Sequence, residues 1–266
     1  MNKIIKNLSI ALLIFVFTLN LSYGEQFVRP NHFLDKKGWE RTHEIKRFQA
    51  LNNLTVTGKL DENTKTLLYN PKSFAKDTIT NAPTKGRWIV VNKTQKALTM
   101  YNGVNPMYKF PVAIGTSQTP TPSAKGTIKM KAKNPAWGGM SGKYTPRASD
   151  DPLNPLGERW MGLNLKGYSG YGIHGTILPK QIGMNVSNGC IRMFNYDIET
   201  FIFPYAKVGM PVWIGTDAEL RSWGVNQDWG IMEDVPAPAP APAPTENTAP
   251  QTQPAEEIAV EENLVF

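Results

Sequence analysis

The stretch Tyr171–Met193, with the sequence YGIHGTILPKQIGMNVSNGCIRM, decides how the rest of the chain is interpreted. It contains Cys190, the only cysteine among 266 residues, and His174, one of three histidines. A free thiol is only slightly ionised at neutral pH, so a nucleophilic cysteine needs a basic neighbour. His174 is a candidate for that base, and it would return the proton to a leaving amine. A buried, unreactive cysteine and a structural histidine remain the alternative.

Residues next to the cysteine suit the same chemistry. Gly189 has no Cβ, which allows unusual backbone angles and the close approach of a substrate carbonyl. The amides of Gly189 and Cys190 would then donate hydrogen bonds to a developing oxyanion. Arg192 would hold a substrate carboxylate or favour the thiolate, although a structural ion pair would explain it equally well. The residues alone therefore leave a catalytic and a structural interpretation open.

Short apolar segments separated by turn residues surround this stretch on both sides. Trp88–Val91 and Ala97–Tyr101 flank a polar turn and predict a β-hairpin. Further strands are expected at Tyr108–Ile114, Gly126–Met130 and Pro211–Ile214, with a short helix at Phe201–Lys207. The pattern predicts a mainly β domain with a sandwich or barrel-like architecture.

A different pattern precedes the β-rich part. Ile45, Phe48 and Leu51 keep the spacing of a helix face, and Asp61 is placed to cap a second helix after the turn at Thr57-Gly58. We therefore expect a small N-terminal α-helical segment and a linker within residues 25–85.

The two ends have compositions of their own. Residues 1–24 combine two lysines, an apolar run and a small-residue ending, which predicts a cleaved signal peptide, with a membrane anchor as the alternative. Residues 235–266 begin with alternating Pro and Ala and continue into an acidic stretch, which predicts a disordered tail. No later segment is apolar enough to span a bilayer. We expect export to the periplasm or cell wall, and no membrane span after cleavage.

Charge and cysteine content narrow the function classes. The formal charge of +7 becomes +12 when the two lysines of residues 1–24 and the seven acids of residues 233–266 are set aside. A basic body indicates an anionic partner, but no nucleic-acid-binding motif is present and the chain is expected to be exported. One cysteine excludes an internal disulfide framework and, with three histidines, argues against a zinc site. The bacterial cell wall, with its peptide carboxylates, is the better candidate.

The segment His174-Gly-Thr176 followed by Ser187-Asn-Gly-Cys190-Ile-Arg192-Met193 resembles the signature of the L,D-transpeptidase catalytic domain. The likeness extends upstream through the hairpin, Phe110–Gly115, the Thr121-Pro122 turn and Asn154–Gly157. It implies a catalytic domain at 86–215, followed by an extension of the body at 216–234. Two departures are visible: Ser123-Ala124-Lys125 separates Pro122 from Gly126, and the loop from Pro135 to Asp151 is long.

The resemblance also implies a mechanism. Cys190 would attack a tetrapeptide stem of peptidoglycan, and an amine acceptor would resolve the thioester into a cross-link. His174 would act as base and then acid, oriented by a backbone carbonyl, which we expect to be that of Gly175. Tyr171, Thr176, Ser187 and Asn188 would shape the pocket or simply pack the loops. No metal or organic cofactor is implied.

Other functions remain open. The helical segment resembles the second half of a three-helix peptidoglycan-binding domain, so it would bind the wall or only pack on the next domain. A hydrolytic relative would let water resolve the thioester, as an L,D-carboxypeptidase does, or would cut an existing cross-link. A non-catalytic wall-binding protein would leave Cys190 inert, and an anchoring role would place the function in the tail.

Overall fold

An eight-stranded sheet organises the protein in the computed structural model, which describes residues 35–232. The strand order across the sheet is β10-β8-β7-β6-β11-β2-β3-β4. Its strands are β2 Arg87–Asn92, β3 Ala97–Asn102, β4 Asn105–Pro111, β6 Ala124–Lys133, β7 Arg159–Asn164, β8 Gly172–His174, β10 Ile191–Arg192 and β11 Pro211–Gly215. Most neighbours are antiparallel, but β10 runs parallel to β8, and β11 runs parallel to β2. The predicted mainly β class is confirmed.

The two edges of this sheet are joined by one residue pair. Ala113, just after β4, and Arg192 of β10 exchange both backbone hydrogen bonds at 2.9 Å. Next to them, β5 Ile114–Gly115 pairs with β9 Asn185–Ser187. The sheet therefore curls into a barrel-like shape, and the seam lies beside the cysteine.

The inside of the curled sheet is apolar. Its buried side chains come from most strands of the sheet and from one helical turn. That turn, α3, consists of Asn195–Asp197 and continues as a π-helical turn, Ile198–Ile202. The short helix predicted at Phe201–Lys207 is therefore wrong in its position: the fully buried Ile198 and Ile202 fix the helical turn earlier in the chain.

The predicted helical segment is confirmed as two helices, α1 Gly38–Leu51 and α2 Glu62–Tyr69. Asp61 caps α2 as expected, because its carboxylate accepts the amide of Thr64 at 2.9 Å. The turn between the helices is held by the buried Gln49, whose side-chain oxygen accepts the amides of Thr57 and Gly58 at 2.8 Å.

This segment packs against the β-rich body. The amide of Val56 donates to the carbonyl of Gln95 at 2.8 Å, and the ammonium of Lys46 donates to the carbonyl of Lys180 at 3.0 Å. Arg47 on α1 forms an ion pair of 2.5 Å with Asp197, whose side chain is fully buried. The contacts reach both the hairpin side of the sheet and the loops beside the cysteine.

The structure contains a two-stranded ribbon that was not predicted from the sequence. Strand β1, Ser73–Ile79, pairs antiparallel with β12, Val225–Ile231. Helix α4, Asp217–Ser222, precedes β12 and carries a complete capping box formed by Thr216 and Glu219. The ribbon joins the expected linker before residue 85 to the expected extension after residue 216.

The predicted signal peptide and the predicted tail lie outside the described residues. Between residues 35 and 232, no helix has the length and apolarity needed to cross a membrane.

Candidate active site

A cleft of about 1160 Å³ opens where the β8 and β10 strands end. Several of the predicted site residues line it: Tyr171, His174, Ser187, Asn188, Cys190 and Arg192. The structure thus brings the cysteine and the histidine of the motif to one cavity, as the catalytic interpretation requires.

The thiol of Cys190 lies at the start of β10 and is partly buried. It donates to the carbonyl of Gly170 at 3.7 Å. Burial raises the pKa of this thiol, while a hydrogen bond from the backbone of Gly172 and the charge of Arg192 act in the opposite direction. In the free protein the sulfur is therefore a thiol at neutral pH and needs a base before it can attack.

His174 ends β8 and is well placed to be that base. Its Nδ1 lies 2.7 Å from the carbonyl oxygen of Gly175. A proton on Nδ1 satisfies that oxygen and leaves Nε2 with a free lone pair. Burial, and to a smaller extent the charge of Arg192, lower the pKa of His174 to about 4, so the ring is neutral at pH 7.

The pairing of β8 with β10 explains why these residues meet. The strands run parallel, with Ile191 beside Ile173 and Arg192 beside His174. Cys190 therefore lies one residue before the paired stretch, next to Gly172 of the neighbouring strand. This short parallel pair brings His174 and Cys190 close together, although they are sixteen positions apart in the sequence.

Ser187 shapes the loop that carries the cysteine. Its hydroxyl donates to the carbonyl of Cys190 at 2.6 Å and accepts the amide of Gly189 at 3.0 Å. From the other side, the hydroxyl of Thr121 donates to the carbonyl of Gly189 at 2.8 Å. The Gly189 amide is thus already engaged, and it would have to leave Ser187 before it could donate to an oxyanion.

Gly189 itself cannot be replaced without cost. Its φ of +107° lies in the region that side chains avoid, and a Cβ there would lie 2.5 Å from Cε1 of Tyr171. Tyr171 therefore packs directly on the loop as well as lining the cleft.

Arg192 brings a positive charge to the cleft. Its Nη1 donates to the side-chain oxygen of Gln181 at 3.0 Å. Its Nε is buried and has no hydrogen-bond partner among the described residues. Arg192 also lines the cleft, so its positive charge is available to an anionic group bound there.

Three predicted site residues are not among those that line the cleft: Gly175, Thr176 and the Gly189 described above. The amide of Thr176 donates to Oδ1 of Asn195 at 2.7 Å, and the Thr176 hydroxyl accepts the amide of Leu178 at 3.0 Å. Gly175 must lack a side chain, because a Cβ would lie 2.2 Å from the same Asn195 oxygen. Asn195 thus holds the backbone that orients His174, and the sequence contained no local signal for this role.

The loop between β6 and β7 supplies cleft residues that the motif could not reveal. Trp137 and Tyr144 both line the cleft, with ring centroids 5.6 Å apart, and the amide of Asn188 donates to the Tyr144 hydroxyl at 3.4 Å. On the opposite wall, Trp160 packs 5.7 Å from the ring of His174. Only the length of the loop pointed to such a role.

Metal ligands are scarce in this region. Within residues 35–232, no group of three His, Cys, Asp or Glu side chains is arranged to hold a metal ion.

The sequence around the cleft is similar to that of known proteins. The family profile described as YkuD, L,D-transpeptidase catalytic domain, matches residues 86–214. YqjB of Bacillus subtilis (strain 168), which carries an L,D-transpeptidase name, is 37% identical over 134 residues, 49% of this chain and 72% of its own length. The chain belongs to the L,D-transpeptidase family.

Two further L,D-transpeptidases are also similar to this chain. YkuD of Bacillus subtilis (strain 168) is 34% identical over 110 residues, 41% of this chain and 55% of its own length. Among solved structures, the catalytic domain of the Enterococcus faecium L,D-transpeptidase is 20% identical, with a TM-score of 0.40, over 50% of this chain and 99% of that domain.

Proposed function

We propose that this protein is a cysteine-dependent L,D-transpeptidase that forms peptidoglycan cross-links by acyl transfer. The donor is a tetrapeptide stem, Cys190 carries the acyl group as a thioester, and an amine on a neighbouring stem accepts it. The observation that carries the proposal is the cleft shared by Cys190 and a neutral His174, inside the segment that matches the family.

Acylation starts with a proton transfer. The thiol turns from the carbonyl of Gly170 towards Nε2 of His174, which takes its proton as the sulfur attacks the stem carbonyl. The imidazolium that forms is stabilised by the Gly175 carbonyl on Nδ1 and gives its proton to the departing D-alanine. Because the pKa of His174 is low, the imidazolium gives this proton up readily, and for the same reason the ring takes the thiol proton only as the sulfur attacks.

The oxyanion and the substrate charge need separate partners. The backbone amide of Cys190 donates to the developing oxyanion, and the Gly189 amide joins it if the bond to Ser187 opens. Arg192 lines the cleft and binds a carboxylate of the stem through its positive charge. Asn188 and Tyr171 line the cleft and shape the space around the stem.

Transfer requires that an amine outcompete water for the thioester. Trp137, Tyr144 and Met140 from the long loop form one wall of the cleft. Such a wall orients an acceptor and limits the access of solvent, which favours cross-linking over hydrolysis. An L,D-carboxypeptidase or a cross-link hydrolase would use the same cysteine with water as the acceptor.

The remaining parts of the chain fit a role at the wall. Residues 1–24 would direct export, and the basic body would concentrate anionic stems in the periplasm or cell wall. The helical segment packs on the body through Arg47 and Val56, which supports a structural role for it more than independent wall binding.

One experiment tests the proposal and its alternatives together. The protein is incubated with a purified disaccharide-tetrapeptide, and the products are identified by mass spectrometry. We expect dimers linked between two diamino acids as the main product, with tripeptide as a minor one. Tripeptide alone would assign a carboxypeptidase.

The matched control is Cys190→Ala. The substitution removes the nucleophile but only one sulfur from the packing, so the variant folds and forms neither product. Turnover by this variant would exclude the thioester mechanism, and an unreactive wild type would support a wall-binding protein.

A further inference from the structure

A second cluster of reactive groups lies away from the cleft, where the helical segment meets the sheet. Asn53 follows α1, Asp77 is on β1, and Lys109 is on β4. All three are buried, and the side chains of Asp77 and Lys109 are only 1% and 2% exposed. We call these residues the buried triad.

The three side chains of the buried triad contact one another. The Nζ of Lys109 lies 2.8 and 2.9 Å from the two carboxylate oxygens of Asp77, and it also donates to Oδ1 of Asn53. The amide nitrogen of Asn53 donates to the same carboxylate at 2.9 Å. An amine, a carboxamide carbon and an acid that bridges them are therefore within reach of each other.

The surroundings of the Asn53 amide nitrogen favour its departure. Three oxygens face this nitrogen: the Asp77 carboxylate, the carbonyl of Lys76 at 3.2 Å and the carbonyl of Asp228 at 2.9 Å. A carboxamide nitrogen has two hydrogens and cannot satisfy three acceptors with full bonds. Ammonia has three hydrogens, so the site is better matched to the leaving group than to the amide.

The environment also activates the amine. Burial lowers the pKa of Lys109, while the charge of Asp77 opposes that shift. The hydroxyl of Tyr101 donates to Asp77 at 2.6 Å and receives a hydrogen bond from Gln227, so the acid is held in place. Fixed groups in a dry interior react with a high effective concentration.

We propose that Lys109 and Asn53 join through an intramolecular isopeptide bond. Asp77 first takes one proton from the Lys109 ammonium, and the free amine attacks Cγ of Asn53. Asp77 then delivers its proton to the amide nitrogen and receives the second proton of the attacking nitrogen. The Cγ–Nδ2 bond breaks, ammonia leaves, and the new bond links Lys109 Nζ to Asn53 Cγ. No oxidant or cofactor takes part.

The bond would replace a disulfide that this chain cannot make. Its only cysteine is Cys190 in the cleft, whereas the isopeptide closes a loop of 56 positions between α1 and β4. Closing a loop of this size restricts the unfolded chain and raises the free energy of unfolding. The cross-link would fasten the helical segment to the sheet irreversibly.

Mass spectrometry of the full chain under denaturing conditions tests the proposal. We expect a mass about 17 Da below that of the processed sequence, the mass of one ammonia. Trypsin should then yield a branched peptide that joins residues 48–59 to residues 97–125, because a linked Lys109 is not cleaved. Separate peptides ending at 59 and 109, with an unchanged mass, would overturn it.

Substitutions at Asn53 test whether its side-chain carbon forms the bond, and a substitution at the neighbouring Asn52 controls for effects on folding. Asn53→Ala should restore the full mass, whereas Asn53→Asp should form the same branched peptide by losing water. The matched control is Asn52→Ala, since Asn52 is equally buried but its amide donates to the carbonyl of Phe48. This control should keep the branched peptide, and a branch that persists in Asn53→Ala would refute the assignment.

Discussion

At the scale of single residues, two glycines with similar backbone angles differ in their surroundings. Gly189 has φ of +107° and Gly167 has φ of +83°, but only Gly189 lies against an aromatic ring, that of Tyr171. Replacing either with alanine costs about 1 kcal/mol of backbone strain. We expect Gly189→Ala also to displace Tyr171 and to abolish most acyl transfer.

Gly167→Ala is the matched control, because nothing lies within 4 Å of its added Cβ. Urea denaturation would measure the free energy of unfolding, and the tetrapeptide reaction would measure activity. Equal activity in the two variants would show that the loop tolerates the displacement of Tyr171.

The reactivity of the thiol gives a second prediction at this scale. Arg192 lowers the pKa of Cys190 against the larger effect of burial. Arg192→Gln should therefore raise the thiol pKa and slow alkylation by iodoacetamide at pH 8 several-fold, because less thiolate is present. The alkylation rate, measured from pH 6 to pH 10, rises as the thiol ionises, and the midpoint of this rise gives the pKa of the thiol.

Arg192→Lys keeps a positive charge and should retain most of the wild-type rate. Protonation of His174 should not contribute in this range, since its pKa is about 4. An unchanged midpoint in Arg192→Gln would mean that the guanidinium does not act on the sulfur.

At the scale of elements, burial of Asp197 of α3 beside Arg47 of α1 makes stability depend on pH. Burial raises the pKa of Asp197 to about 6, while Arg47 opposes the shift. The folded state then holds a proton that the unfolded state has lost between about pH 4 and pH 6. The contribution of Asp197 to stability is therefore largest below pH 4 and is lost as the pH rises through 6.

Comparison with Asp197→Asn isolates this effect. The free energy of unfolding of the wild type, minus that of the variant, should fall by about 3 kcal/mol between pH 3.5 and pH 7. Urea titrations at several pH values give both quantities. A difference that stays constant, or that rises with pH, would show that Asp197 is ionised throughout.

Elements whose signal is local were predictable from sequence. The β2–β3 hairpin and the Asp61 cap rest on neighbouring residues, and the structure has both. Strand β12 has few apolar residues, and β1 lies between helix and hairpin, so neither shows a strand pattern alone. Their pairing depends on a partner far along the chain.

The residues of the candidate site also fall into two groups, those that a local motif predicts and those that it does not. Cys190, His174 and Arg192 occur in a motif that is specific by itself, and the cleft contains all three. The hydrogen bond of Asn195 to the Thr176 amide and the position of Tyr144 depend on how distant loops fold. Such residues follow from the tertiary structure and not from spacing.

At the scale of the whole molecule, the ribbon pairs the last described residues with β1. Removing residues 235–266 should leave the melting temperature nearly unchanged, because a Pro-Ala linker and an acidic stretch bury little surface. Removing residues 225–266 also deletes β12 and with it Gln227, which donates to Thr99 and Tyr101. This longer deletion should destabilise the protein severely.

The two truncations serve as controls for each other. Thermal unfolding, followed by circular dichroism, gives the melting temperatures of the two truncated chains and of the full chain. The tetrapeptide reaction shows whether the cleft is still active. A large loss of stability in the shorter deletion would show that the tail packs on the body. Full stability in the longer one would show that the ribbon is dispensable.

The ribbon also sets an order of folding during synthesis. The side-chain amide of the buried Asn53 donates to the carbonyl of Asp228, and this hydrogen bond cannot form until that residue, 175 positions later in the chain, has been synthesised. Contacts between such distant residues form slowly, since a long loop must close before they contribute energy. While the ribosome is still adding residues, β1 has no partner and the seam at Ala113 has no Arg192. Strand β1 therefore stays unpaired until β12, at Val225–Ile231, has been synthesised.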